Sequence, residues 1–158
     1  NKGDLVAGFG GQAPVSTPNT YFHTYSGIMK NLMRGASHKV LELVEPALKQ
    51  YPNDAMMWTV RGKGLYNPDS REALQQALES LDNALSLNPL SNDPMIMKCI
   101  VLERLGYLTG DLITEKKALQ HCSDTHGFLR VHSANVDSLL IPVNEKLGNI
   151  RGRLSSFK

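Results

Sequence analysis

The chain repeats one pattern of small and apolar residues at a distance of 37 residues, and this limits the folds open to it more than any other feature does. Val40, Val44, Ala47 and Pro52 recur in spacing as Ala77, Leu81, Ala84 and Pro89. Positions i, i+4 and i+7 lie on one side of an α-helix, and a proline five residues beyond the last of them cannot continue the backbone hydrogen-bond ladder. A helical unit recurring at such a period cannot bury its apolar face alone; it stacks on its neighbours and leaves a curved surface free. The expectation is an all-α solenoid that holds another protein, a binding scaffold rather than an enzyme.

Composition agrees and excludes other classes. The 158 residues, 41% hydrophobic and 20% charged, suffice for one continuous core. No stretch is long and apolar enough to span a membrane. Seventeen Lys and Arg against 15 Asp and Glu leave a net charge of +2, too small to point to nucleic acid as a partner. Basic residues do gather near the C-terminus, at Lys146, Arg151, Arg153 and Lys158, and read as a solvated helix face. Cys99 and Cys122 are too few for a disulfide framework and leave the redox compartment open.

Residues 1–20 read as a flexible lead-in, rich in Gly, Pro, Ser and Thr, and the Gly8 to Gly11 cluster lacks the Gly-Lys-Ser/Thr of a phosphate loop. The chain starts at Asn1 with neither methionine nor signal peptide, which fits a trimmed chain or a mature exported one, so cytoplasmic and periplasmic or exported locations both stay open.

From Tyr21 onward, helical stretches alternate with turns. Tyr25, Ile28, Met29 and Leu32 have helical spacing, and after Gly35 a second helix runs from Val40 to Gln50. A third starts near Asp54, a plausible N-cap, carries Met57, Trp58, Val60 and Leu65, and stops at Asn67-Pro68. Ser70 or Asp69 caps a fourth, with Leu74, Ala77, Leu78, Leu81, Ala84 and Leu85, that ends at Asn88-Pro89. A third pair reads less clearly: Met95, Cys99, Leu102 and Leu105 before Gly106, then Leu108 or Leu112 to Leu119 after Gly110-Asp111.

The run Trp58-x2-Arg61-Gly62-x2-Leu65, followed by Ala77-x3-Leu81-x2-Ala84 and Pro89, resembles a tetratricopeptide repeat. The match is good for residues 54–89, moderate for 21–52 and poor for 92–123, where Cys99 stands in place of the glycine. The resemblance implies about three helical hairpins over residues 21–124, closed by a capping region over 125–158. There Val136, Leu139, Leu140, Val143, Leu147, Ile150 and Leu154 form an apolar stripe, and Pro142 calls for a helix start near Ile141 or a kink.

In this family the first helix of each hairpin lines the concave face, so the resemblance implies a peptide or protein groove. Its wall would carry Met56, Thr59, Lys63, Tyr66 and Asn67, then Asp93, Ile96, Ile100, Glu103 and Arg104, with His23, Ser26, Lys30 and Arg34 as counterparts in the first pair. Lys30, Lys63 and Arg104 would form a positive stripe for an acidic or carboxylate-ended peptide, with Tyr66, Ile96 and Ile100 giving apolar contact. Ser26 and Lys30 stand where a two-carboxylate clamp wants lysine and asparagine, which disfavours that partner class. Family habit suggests an adaptor in a secretion or pilus-type assembly, or a chaperone of a secreted protein. A homodimer through Tyr21, Phe22 and Tyr25 is a further expectation.

One constellation offers other chemistry. His121, Cys122, Asp124, His126 and His132 include metal-ligand types, which gives the alternative of a metal-binding or redox-sensing domain. Their spacing matches no zinc finger, and neighbouring helical positions point about 100° apart, so a polar turn is the preferred reading and no metal or cofactor is expected. No spaced carboxylate pair, nucleophile elbow or nucleotide loop accompanies them.

Overall fold

The computed structural model describes residues 18–157. These form seven helices and no strand: α1 (Pro18–Met33), α2 (Ser37–Gln50), α3 (Ala55–Leu65), α4 (Arg71–Leu87), α5 (Asn92–Thr109), α6 (Leu112–His132) and α7 (Val136–Leu154). The expected flexible lead-in lies outside the described residues, except that Pro18, Asn19 and Thr20 belong to α1.

The 37-residue repeat marks equivalent places in the fold. Val40, Val44 and Ala47 on α2 and Ala77, Leu81 and Ala84 on α4 are all buried, and each helix ends one residue before the turn that carries Pro52 or Pro89. The N-terminal residues flanking α3 and α5, Asp54 and Ser91, are also 37 apart. Asp54 caps α3 by accepting hydrogen bonds from the Met56 and Met57 amides, at 2.9 and 3.2 Å, and Ser70 does the same for α4 from Ala73 at 3.1 Å.

Gly62 shows why the repeat needs a small residue. A Cβ there would lie 2.8 Å from Leu81 Cγ and Cδ2 and 3.3 Å from the Ala77 carbonyl, so α3 and α4 meet closely only because it is absent. The position 37 residues on holds Cys99, and there the partner helix is joined covalently, by a disulfide to Cys122 of α6 with a Cα–Cα distance of 5.0 Å. Both sulfurs are sealed in the core, so the redox question that the sequence left open becomes a bond between α5 and α6.

Each helix packs on its neighbours in sequence, and α1 also touches α3, α3 touches α5 and α5 touches α7. No even-numbered pair makes such contacts among the described residues. The core falls into three clusters: Ile28, Val40, Val44, Met57 and Val60 over α1 to α3; Leu74, Leu81, Val101 and Leu105 between α4 and α5; and Leu102, Ala118, Leu129, Val143, Leu147 and Ile150 over α5 to α7.

Two boundaries differ from expectation, and at α7 one of two readings holds. Gly106 does not end α5, which runs on to Thr109 and stops at Gly110, whose φ of 63° is the left-handed conformation that glycine adopts freely. Helix α6 continues through the segment read as a polar turn, so a division at residue 124 falls inside it; Ala118, Cys122, Thr125 and Leu129 give it a buried stripe. Helix α7 spans the expected stripe from Val136 to Leu154 and runs through Pro142 instead of starting near Ile141, and the proline costs it the bond to the Ser138 carbonyl.

Candidate functional site

The face built by α3, α5 and α7 carries most of the residues expected to bind a partner, and their neighbours decide what each can do. Met56 is 44% exposed. Thr59, one turn on, is buried, with its hydroxyl donating to the Ala55 carbonyl at 2.9 Å, so it offers a partner no free polar group. Lys63 Nζ lies 2.7 Å from Asp93 Oδ2 across the α3–α5 seam. Asn67 is exposed and accepts from the Asp69 amide at 3.0 Å, shaping the turn before α4. Tyr66 is half-buried, and burial pushes its hydroxyl pKa up.

On α5, Ile96 packs against the α5–α7 core, while Ile100 is half-buried. Arg104 donates from Nε to the Pro68 carbonyl at 2.6 Å and from Nη2 to Asp69 at 3.2 Å, and its guanidinium lies 4.4 Å from the Tyr107 ring centroid. The positive stripe is thus interrupted: Lys63 and Arg104 have acidic partners, and Lys30 and Arg34 stand exposed at the far end, on and just beyond α1.

Glu103 is a clear correction. It is 5% exposed and belongs to an ion cluster that joins α5, α6 and α7. Arg153 donates to Glu103 Oε2 at 2.8 Å, to the Glu103 carbonyl at 3.0 Å and to Glu115 Oε1 at 3.1 Å, with a further, shorter bond from Nε to Glu115. Lys146 completes it 3.7 Å from Glu103. Hydrogen bonds to Glu115 hold Arg153 above its ordinary pKa. Arg153 and Lys146 therefore anchor α7 instead of forming a solvated face; the residues that they meet are 38 to 50 positions away, a distance no periodicity reports. Gly106 makes room for the cluster, since a Cβ there would sit 2.9 Å from Glu115 Cδ.

Two clefts open beside these residues. One of about 660 Å³ lies among Tyr51, Asp54, Met56, Thr59, Asn88 and Asp93; the other, about 630 Å³, lies among Tyr66, Arg104, Tyr107, Lys146, Asn149 and Arg153. The structure thus brings Tyr66 and Arg104 together with Tyr107, Lys146 and Arg153, which the sequence reading did not place in a groove.

The His121 to His132 constellation does not converge. Cys122 is consumed by the disulfide, His121 Nε2 lies 2.9 Å from the Met95 carbonyl, Asp124 accepts from Gln120, and His132 packs on Phe128 with ring centroids 4.4 Å apart. Burial lowers the pKa of His121. No group of three His, Cys, Asp or Glu among the described residues is placed to hold a metal ion. The aromatic residues expected at a dimer surface also divide: Tyr21 packs edge-on to Tyr51 at 5.0 Å and Tyr25 stacks on Tyr21 at 6.2 Å, both against the α1–α3 core, and Phe22 alone of the three is exposed. No helix among the described residues is long and apolar enough to cross a membrane. No protein-family model matches this chain, and no curated protein is significantly similar to it.

Proposed function

We propose that this chain is a non-enzymatic, tetratricopeptide-like scaffold that binds a peptide or protein segment along the face of its odd-numbered helices. One observation carries the reading: among the described residues, α1, α3, α5 and α7 touch in series, whereas α2, α4 and α6 touch only their neighbours in sequence. In such a two-layer stack the inner row forms a continuous surface longer than any single hairpin, and partners lie along it. The repeat-equivalent burial of α2 and α4 supports the same arrangement, since equal units bury equal faces. Met56, Lys63 and Ile100 are the accessible or half-accessible side chains of that row nearest its middle.

The test is affinity capture from the native source by the whole chain, beside a Met56→Glu/Lys63→Glu variant whose helicity is checked by circular dichroism. A partner held by the parent and lost by the variant supports the scaffold. Equal capture by both removes this face from consideration.

A further inference from the structure

The Cys99–Cys122 bond lies where the reagents that make such a bond cannot reach it. Both residues are 0% exposed, and they share one core cluster with Leu102, Ala118 and Leu129 and with Leu140, Val143, Leu147 and Ile150 of α7. Helix α5 brings one sulfur, α6 brings the other, and α7 closes the cluster over both. Helix α7 is held there in turn by Arg153, which donates to Glu103 of α5 and Glu115 of α6. A protein disulfide is made by exchange, in which a thiolate of the chain attacks a sulfur of a donor disulfide, so the two must touch. Once α7 is docked, no donor can touch either sulfur. The helices concerned are also neighbours in the chain, a topology that closes fast. A chain that folded with no donor at hand would therefore seal two thiols in its core instead of a bond.

We propose that the bond is introduced before α7 docks, by exchange with a donor disulfide, and that this chain accordingly folds in a compartment where such donors are kept oxidised. The thiolate of one cysteine attacks the donor, giving a mixed disulfide and releasing the donor's second sulfur as a thiolate. The thiolate of the other cysteine then attacks the chain's sulfur in that mixed disulfide and releases the donor's first sulfur. Two electrons pass from the chain to the donor, which leaves as a dithiol, and the two thiol protons of the chain pass through solvent to it. Of the locations that the sequence leaves open, this selects the periplasmic or exported one over the cytoplasmic one. The inference does not rest on the scaffold reading, and either can fail without the other.

Two measurements test it on the whole chain. In the first, cells of the native source are quenched with acid, and the denatured protein is treated with a maleimide that adds visible mass to each free thiol. No adduct is expected before a reductant is added, and two after it. In the second, purified protein is reduced in urea and either kept there or returned to native buffer, and each sample is then given oxidised glutathione, with disulfide formation followed by the same thiol count and folding by circular dichroism. Oxidation in native buffer is expected to be slower by about a hundredfold or more, since it waits for the cluster to open. A reduced chain that does not fold at all would also support the proposal, because the bond then has to precede folding. Two adducts without reductant in the native source would overturn it. So would a reduced and folded chain that oxidises as fast as the unfolded one, because the bond could then be acquired after folding.

Discussion

Reducing the Cys99–Cys122 bond should cost this protein a large and calculable part of its stability. The bond closes a loop between residues 23 apart, and constraining such a loop in the unfolded chain is worth about 3.4 kcal/mol on the loop-entropy relation. For a chain of this size that corresponds to a fall in Tm of roughly 10 °C. Reduction is a cleaner perturbation than substitution. Both cysteines are fully buried, so serine would add an unpaired hydroxyl and alanine a cavity, whereas the two thiols keep nearly the same packing. Because the bond is sealed in the core, the protein should be unfolded in a reductant and refolded with it present. The assay is thermal unfolding followed by circular dichroism at 222 nm, oxidised against reduced, with thiol titration in denaturant to count free cysteines in each sample. Oxidised and reduced samples melting within about 2 °C of each other would refute the reasoning, and two free thiols in the protein as purified would refute its premise.

Three further outcomes are expected. Arg153→Met leaves the carboxylates of Glu103 and Glu115 buried with only Lys146 nearby, and should lower the unfolding free energy in urea by about 3–5 kcal/mol, part of which returns with an added Glu115→Gln. Gly106→Ala drives a methyl into Glu115, whose carboxylate Arg153 holds in place; a loss of about 1–3 kcal/mol is expected, measured the same way, and an unchanged midpoint would show that the cluster shifts freely. Burial, together with a hydrogen bond to Asp54, pushes the Tyr21 hydroxyl up to about 12, so the unfolded chain gives up that proton first and stability should fall as pH rises from about 10 through 12. Absorbance at 295 nm should show a late-titrating tyrosine that disappears in Tyr21→Phe, with a shallower alkaline loss of stability; an unchanged titration would count against the assignment.

The elements legible in the sequence are those where buried positions are apolar and helix ends carry strong stop signals. Val40, Val44 and Ala47, like Ala77, Leu81 and Ala84, announce a face, and Pro52 and Pro89 announce its end. Helix α6 was illegible beyond Leu119 because its buried stripe mixes Ala118, Cys122 and Thr125 with Leu129, small and polar residues that raise no apolar signal. Its start is legible, since Asp111 caps α6 by accepting from Ile113 and Thr114 at 3.3 and 3.1 Å. The groove positions follow from the family resemblance and helical spacing, and neither can tell a surface glutamate from one sealed under a distant arginine. Glu103 therefore reads as exposed until Arg153, 50 residues later, is seen to cover it. The Cys99–Cys122 pairing was hidden for the same reason: with the second cysteine placed in a turn, no helix face brought it to the first.

Among the described residues, every tertiary contact between helices joins elements no more than two apart in the chain, from α1 with α3 to α5 with α7. A hairpin can be duplicated, deleted or borrowed from elsewhere, and only the two seams beside it must be refitted, because no distant element depends on it. The length of such a protein is thus free to drift while its cross-section stays fixed. The same locality favours rapid assembly, since each seam closes over a short stretch of chain and can form before the far end has been synthesised.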